Sequence, residues 1–229
     1  MSTADKLVTV AENVEKVYNA GFEKGKAESD GLPAEFEWAK HTINKPLFND
    51  DSWATENTVI YMPNVSNISE IFYNKTLTKI KTLTVKTDVP VTNANYFLKA
   101  QNNVSHAFLE KLILECDFSQ CDNFSQFLQF QRKLVSIEGQ PLNLSSAVSF
   151  NFSYLEALES FRVERETIKV DFYVAASSNL DSETIQSIVD GLADLTGGDA
   201  KTLILHSTVK GKLTETQLAT ITGKNWTVA

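Results

Sequence analysis

The chain has 229 residues, of which 42% are hydrophobic and 10% aromatic, so it is long enough to bury a sizeable core in one or two domains. Its net charge of -8 disfavours nucleic acid as a partner, because phosphate backbones repel an acidic protein. No apolar run approaches the ~20 residues of a membrane span, and residues 1–12 lack the basic and apolar regions of a signal peptide, so we expect a soluble protein without a membrane partner.

The segment 1–30 carries apolar residues at helical spacing. Leu7, Val10, Val14 and Val17 follow one another at intervals of three or four, which places them on one side of a predicted helix. This seam covers only about two heptads, fewer than make a coiled coil specific. Two interpretations stay open. The helix packs on its own domain, or it is a short coiled coil that assembles a homo-oligomer, for example a trimer.

The segment 31–57 is rich in aromatic residues and irregular. Phe36, Trp38 and Trp53 are predicted to cover one end of the core, as a linker or N-terminal cap. Asp50 and Asp51 are adjacent and lack the alternating oxygen ligands of a calcium loop, so we interpret them as part of a turn.

The segment 58–178 is repetitive. Pairs of apolar residues three positions apart recur, each at the start of a predicted short strand, and the first members of the pairs are 24 to 32 residues apart. Repeats of about 20–29 residues are typical of leucine-rich-repeat proteins. The predicted repeat core consists of Leu77, Ile80, Leu109, Leu112, Leu134, Ile137, Leu158 and Phe161.

Short segments between the predicted strands combine apolar and polar residues, namely 69–72, 125–128 and 149–152, and each is predicted to form a helical turn. One such unit cannot bury both of its apolar faces, but a stack of units can. The sequence therefore favours a short α/β solenoid over independent hairpins. Lys79, Lys81, Lys111 and Glu115 are candidates for exposure on its strand side.

The segment 179–229 departs from the repeat and is predicted to be an α/β cap that closes the solenoid. Asp181 or Ser182 is expected to cap a helix that continues to a stop at 196–199. A strand at 202–207 should follow. Thr214 and Gln217 have the spacing of a capping box before a second helix, and the chain should end in a turn and a strand.

The spacing of Phe152, Leu155, Leu158, Phe161 and Val163 resembles the BspA-like class of leucine-rich repeats, with Leu155 in the place of that class's cysteine. The match around Leu128 to Ile137 is looser, and the one around Phe72 to Ile80 is one residue short. The resemblance implies a degenerate leucine-rich-repeat solenoid.

Both ends of the chain resemble a family of Firmicutes phage and prophage proteins, through residues 4–21 at the start and 182–192, 201–205 and 224–227 at the close. This resemblance implies a non-enzymatic, virion-associated or tail-region protein that binds other virion or cell-surface proteins or glycans. Such a protein would be found in the virion, or in the bacterial cytoplasm before assembly. The alternative that the repeats suggest is an adhesin-type protein of the bacterial surface.

The sequence contains few candidates for chemistry. His41, His106 and His206 are far apart, and Cys116 and Cys121 lack metal-ligand spacing, so we expect no metal site and two buried, inert thiols. There is no nucleophile elbow, P-loop or dinucleotide fingerprint. Carboxylates in the stretch 156–166 alternate with two arginines, which indicates solvated ion pairs. We expect no catalytic residue and no cofactor.

Overall fold

The computed structural model describes residues 54–73, 78–100 and 108–229, together with the backbone of Ala34–Glu37. In these residues the fold is mixed α/β, with two parallel sheets and a few short helices near the C-terminus. The predicted N-terminal seam, Leu77 and the two adjacent aspartates Asp50 and Asp51 lie outside the described residues. None of the helices described has both the length and the apolar character that a membrane crossing demands.

The first sheet has five parallel strands that pair in chain order: β1 (Ala34–Glu37), β2 (Asn57–Tyr61), β3 (Thr82–Lys86), β4 (Lys111–Glu115) and β5 (Ser136–Gly139). Paired residues are 24 to 29 positions apart; Thr82, for example, pairs with Lys111. The strand β1 falls in the segment that was predicted to be an irregular linker, so the sheet begins before the predicted repeats of 58–178.

The second sheet continues the same habit with four strands: β6 (Phe150–Asn151), β7 (Phe172–Val174), β8 (Lys201–Leu205) and β9 (Trp226–Val228). These strands are also parallel and pair in chain order, over separations of 22 to 31 residues. Both sheets therefore grow by adding one strand for each successive stretch of chain.

Alternation of side chains along the strands builds the core. Leu83, Val85, Leu112 and Leu114 point inward and are fully buried, because successive residues of a strand face opposite sides. They belong to one apolar cluster that extends from Ala54 to Trp226. Phenylalanines fill its centre, with ring centroids 5.4 Å apart for the pair Phe124 and Phe150.

A recurring asparagine turn stacks beside the strands. Asn67, Asn93 and Asn123 pair with one another as single parallel bridges, and Asn123 pairs with Ser149. Each asparagine Oδ1 accepts a hydrogen bond from the backbone N–H two residues later, at 3.0, 3.0 and 3.1 Å. Such local bonds stabilise a turn over a helix or strand. The third residue after each asparagine has a left-handed backbone, as it does after Asn151; these residues are Glu70, Tyr96, Gln126 and Tyr154.

These turns replace the predicted helical turns, and one prediction was out of register. The segment 149–152 contains β6, and the turn equivalent to the others follows it, where the Ser153 hydroxyl donates to Asn151. A turn at Asn93 was missed, because Asn95 stands where the other turns have serine.

The prediction of a repeat strand after Leu158 is wrong. Only isolated bridges form there, at Ser160 and Val163. Side chains of the following helix take the place of a strand: the Phe161 N–H donates to Thr184 Oγ1 at 3.2 Å, and the Val163 N–H donates to Ser187 Oγ at 2.9 Å. The backbone groups are satisfied without a ladder.

That helix, α1 (Ser182–Gly191), is capped by Asp181, as predicted, but it ends before the expected stop at 196–199. Leu192 leaves the helix in an extended conformation and pairs with Ile168. Glycine at position 191 allows the chain to pass close to Val163 at this point, because a Cβ there would lie only 3.0 Å from the Val163 side chain. The sequence pattern did not predict the short helix α2 (Ser207–Lys210). The predicted capping box of Thr214 and Gln217 begins α3 (Glu215–Gly223).

Candidate binding surface

The outward side chains of β2 to β5 form one continuous surface, which we call the strand face. Strand pairing aligns these side chains in rows that run across the sheet. The middle row contains Val59, Thr84, Ile113 and Glu138, and the flanking rows contain Asn57, Thr82, Lys111 and Ser136 on one side and Tyr61, Lys86 and Glu115 on the other.

Opposite charges on the strand face are paired between neighbouring strands. The Lys111 ammonium lies 2.8 Å from the Glu138 carboxylate, and Lys86 lies 3.2 Å from Glu115. The hydrogen bond from Lys111 holds the pKa of Glu138 below its ordinary value. Pairs that remain this exposed to solvent contribute little stability, about 0–1 kcal/mol each. Their main effect is to leave the strand face electrically balanced on a protein of net charge -8.

A further pair lies at the entrance to β3. Lys81 Nζ is 2.6 Å from Glu56 Oε1, and the hydrogen bond that Lys81 donates to Glu56 raises the pKa of Lys81. Tyr61 donates its hydroxyl hydrogen bond to Asp88, and Lys86 lies over the Tyr61 ring at 5.8 Å. These contacts give the long side chains at the rim of the strand face partners on neighbouring elements.

Two of the four residues in the middle row are apolar. Val59 and Ile113 are partly exposed, Thr84 lies between them, and the charged Glu138 ends the row. β-Branched side chains have few rotamers, so little entropy is lost when a partner covers them. An apolar strip with a paired polar rim is the usual composition of a protein-binding surface.

The size of the strand face limits what it can do alone. Four strands, each about 4.8 Å wide and five residues long at about 3.3 Å each, give a face of about 19 by 16 Å, or about 300 Å². A stable protein interface buries about 800 Å² on each partner. The strand face can therefore supply a weak contact by itself, or one part of a larger one.

Residues of the predicted repeat core lie behind the strand face. Within the described part of the chain, Ile80, Leu109, Leu112, Leu134, Ile137, Leu158 and Phe161 are all buried in the same apolar cluster. They hold the strands in place and touch no partner. Among the predicted exposed residues, Lys79, Lys81 and Glu115 are exposed, and Lys111 is half-buried beneath its ion pair.

Three of the candidate chemical groups, Cys116, Cys121 and His206, lie in the described part of the chain and make structural contacts, whereas His41 and His106 lie outside it. Cys116 and Cys121 are buried free thiols, and burial raises their pKa values to about 11 and about 12. His206 caps α2, where its Nδ1 accepts from the Thr208 N–H at 3.2 Å. Over the residues described, no three histidine, cysteine or acidic side chains come together as a metal site would require.

The carboxylate-rich stretch forms ion pairs with arginines. Arg132 pairs with Glu156, Arg162 lies 3.6 Å from Glu183, and Arg165 lies 3.8 Å from its neighbour Glu166. These carboxylates are exposed on the surface, where water solvates them.

Sequence reasoning missed the middle row of the strand face. Its signal was the residue between each pair of buried strand positions, such as Ile113 between Leu112 and Leu114. An apolar residue at that place breaks the alternation of a half-buried strand.

Comparison of the chain with protein-family models, with curated proteins and with solved structures finds no match.

Proposed function

We propose that this protein is a non-enzymatic interaction protein, built as a short, degenerate leucine-rich-repeat solenoid of the BspA-like type, and that the strand face is its protein-binding surface. The strand order, the pairing of residues 24 to 29 positions apart and the recurring asparagine turns support the solenoid. We assign no catalytic residue, and among the described residues Cys116, Cys121 and His206 already have structural partners.

The observation that carries the proposal is the strand face itself. It combines the partly exposed Val59 and Ile113 with charges that are already paired, so a partner that covers it leaves neither member of these pairs as an uncompensated buried charge. Its area of about 300 Å² implies a weak single contact. Several copies held together would convert weak contacts into firm attachment. The predicted seam of Leu7, Val10, Val14 and Val17 is a candidate for holding them together.

The proposed setting is a phage or prophage particle, in which the chain is associated with the virion or its tail. Support for this setting comes from the resemblance of the two ends of the sequence. Partners would be other virion proteins or molecules of the bacterial surface. The acidic charge of the chain is consistent with a protein that avoids the packaged nucleic acid.

Particles purified on a density gradient from bacteria that carry the gene will test the proposal. The full chain should sediment with the particles. The variant Ile113→Glu, which places a charge in the middle row, should be depleted from them at least tenfold. Leu218→Glu is the matched control, because Leu218 is an exposed apolar residue on α3, away from the strand face.

Two results would contradict the proposal. If the chain is missing from particles and is found on intact cells, it is a surface adhesin. If Ile113→Glu folds normally by thermal unfolding and stays with the particles as well as Leu218→Glu does, the strand face is not the binding surface.

A further inference from the structure

A groove lies over the second sheet, on the side opposite to its buried core residues. Outward side chains of β6, β7 and β8 form the floor of a groove of about 520 Å³. Strand pairing places Asn151, Tyr173 and Ile204 in one row across this floor. The turn after Asn123 forms one wall, with Gln126 and Gln129. The groove shares no residue with the strand face.

Apolar groups line the groove without being covered by the protein. Val148, at its edge, is 73% exposed, which is the largest value among the exposed large hydrophobic residues described. Val170 and Ile204 are partly exposed beside it. Tyr173, on the floor of the groove, is half-buried. Apolar side chains inside a groove that also carries polar groups are typical of a ligand site.

The polar groups of the groove are mostly neutral. Serine hydroxyls and side-chain amides line it, including those of Gln126, Gln129 and Asn151. Of its two charged residues, Asp171 accepts a hydrogen bond from the Thr202 N–H at 2.7 Å, and Lys201 is a single cation. One lysine on a chain of net charge -8 is too little to hold a polyanion, so the groove complements a neutral ligand.

The backbone of the groove argues against a peptide strand as ligand. β7 and β8 are each paired on both sides, so their N–H and C=O groups are already bonded, and the edge strand β6 has only two residues. Peptides that bind to sheets as an added strand need an unpaired edge. Recognition in this groove therefore depends on side chains alone.

We propose that this groove binds a neutral oligosaccharide. A sugar ring has C–H groups on its faces, which would pack on Tyr173 and Val148, and hydroxyls at its edge, which would bond to the amides of Gln126, Gln129 and Asn151. Amides both donate and accept, as hydroxyls do, so they match without an unpaired charge. This inference deepens the proposed binding function, on which it rests, by naming the class of one ligand.

The test is an array of neutral and anionic glycans probed with the full chain, followed by calorimetry on the glycans bound. Neutral glycans should be bound. Tyr173→Ala and Val148→Ser should each weaken that binding at least tenfold. Val148 is exposed, so its variant should keep its fold even if Tyr173→Ala does not. Leu218→Ser is the matched control for Val148→Ser and should bind as the parent does.

The outcome separates this inference from the proposed function. Binding of no glycan, binding of anionic glycans alone, or binding that survives Val148→Ser overturns the oligosaccharide groove. A protein that fails in this way, yet sediments with particles and depends on Ile113, leaves the proposed function in place. A protein that binds neutral glycans through Tyr173 and Val148 but is missing from particles overturns the virion setting and keeps the groove.

Discussion

Gly139 ends β5 with a backbone φ of +91°, a conformation that is strained for a residue with a Cβ atom. A Cβ at this position would lie 2.3 Å from the carbonyl oxygen of Leu114, which is fixed within the neighbouring strand. Gly197 has a similar φ of +87°, but a Cβ there would meet nothing within 4 Å. Comparing substitutions at the two glycines therefore separates the cost of backbone strain from the cost of a steric clash.

We predict that Gly139→Ala lowers the free energy of unfolding by well over ~2 kcal/mol, because it adds a clash with backbone to the strain of the left-handed conformation. Gly197→Ala has the strain alone and should cost about 1 kcal/mol. Urea denaturation of both variants measures the difference. Equal losses of unfolding free energy would show that the backbone around Gly139 and Leu114 can shift enough to relieve the clash.

The thiols of Cys116 and Cys121 predict an alkaline loss of stability. Burial raises their folded-state pKa values to about 11 and about 12. In the unfolded chain a thiol loses its proton near pH ~8.5. Below that pH both states are protonated and the thiols have no effect. Above it the unfolded state binds fewer protons, so the free energy of unfolding falls by up to about 1.4 kcal/mol per pH unit for each thiol.

Denaturation between pH 7 and pH 10 checks this effect against a variant with Cys116→Ala and Cys121→Ala. The parent protein should lose stability faster than the variant above pH ~8.5. Other groups titrate in both proteins and cancel in the comparison. Parallel pH profiles would mean that neither thiol is as well shielded from water as its burial indicates.

At the scale of the element, the asparagine turn is the unit that repeats. The Asn123 Oδ1 accepts from the Ser125 N–H at 3.1 Å, while the Asn123 backbone carbonyl accepts from Ala94. One residue thus shapes its own turn and bonds to the turn stacked on it. Glycine, the usual residue for a left-handed backbone, is absent from the turns at Glu70, Tyr96, Gln126 and Tyr154.

We predict that Asn123→Ala lowers the free energy of unfolding by about 1 kcal/mol, because the Ser125 N–H loses its acceptor. Asn123→Asp keeps an oxygen in the same place and should lose much less. The midpoints of urea denaturation compare the two variants. If alanine and aspartate behave alike, the side-chain bond does not stabilise the turn, and the stacked backbone bonds maintain it.

Strands in which every second side chain is buried could be predicted at this scale, whereas strands of only two or three residues could not. Leu83 with Val85, and Leu112 with Leu114, mark β3 and β4 directly, since both faces of each strand differ in burial. β6 has two residues and β7 three, too few for a period to appear. Leu158 and Phe161 are buried as a strand would bury them, yet serine and threonine side chains of α1 bond to the backbone there.

At the scale of the whole molecule, the strand face and the groove depend on residues that are distant in sequence. The middle row of the strand face joins Val59, Thr84, Ile113 and Glu138 across three strand pairings. Local patterns predict which residues of one strand point outward. They do not predict which residue of the next strand, 25 to 29 positions away, stands beside them. For this reason the strand face and the groove were found only in the structure.

The predicted N-terminal seam gives a test at the same scale. Changing Leu7, Val10 and Val14 together to polar residues should convert an oligomer of the full chain into a monomer, because it removes the apolar contact between helices. Light scattering at micromolar concentration measures the mass of both proteins. A parent protein that is already a monomer would contradict the coiled-coil interpretation and favour a helix packed on its own domain.

The stepwise pairing of the strands has a consequence for how the chain folds. In the two sheets described, no strand pairs with another more than 31 residues away, in a chain of 229. Parallel β proteins usually fold slowly, because distant segments must find one another first. Here each new strand closes a loop of about 25 residues, and lengthening such a loop adds little entropy cost. We therefore expect folding to proceed strand by strand while the ribosome is still extending the chain, with each finished strand as the template for the next.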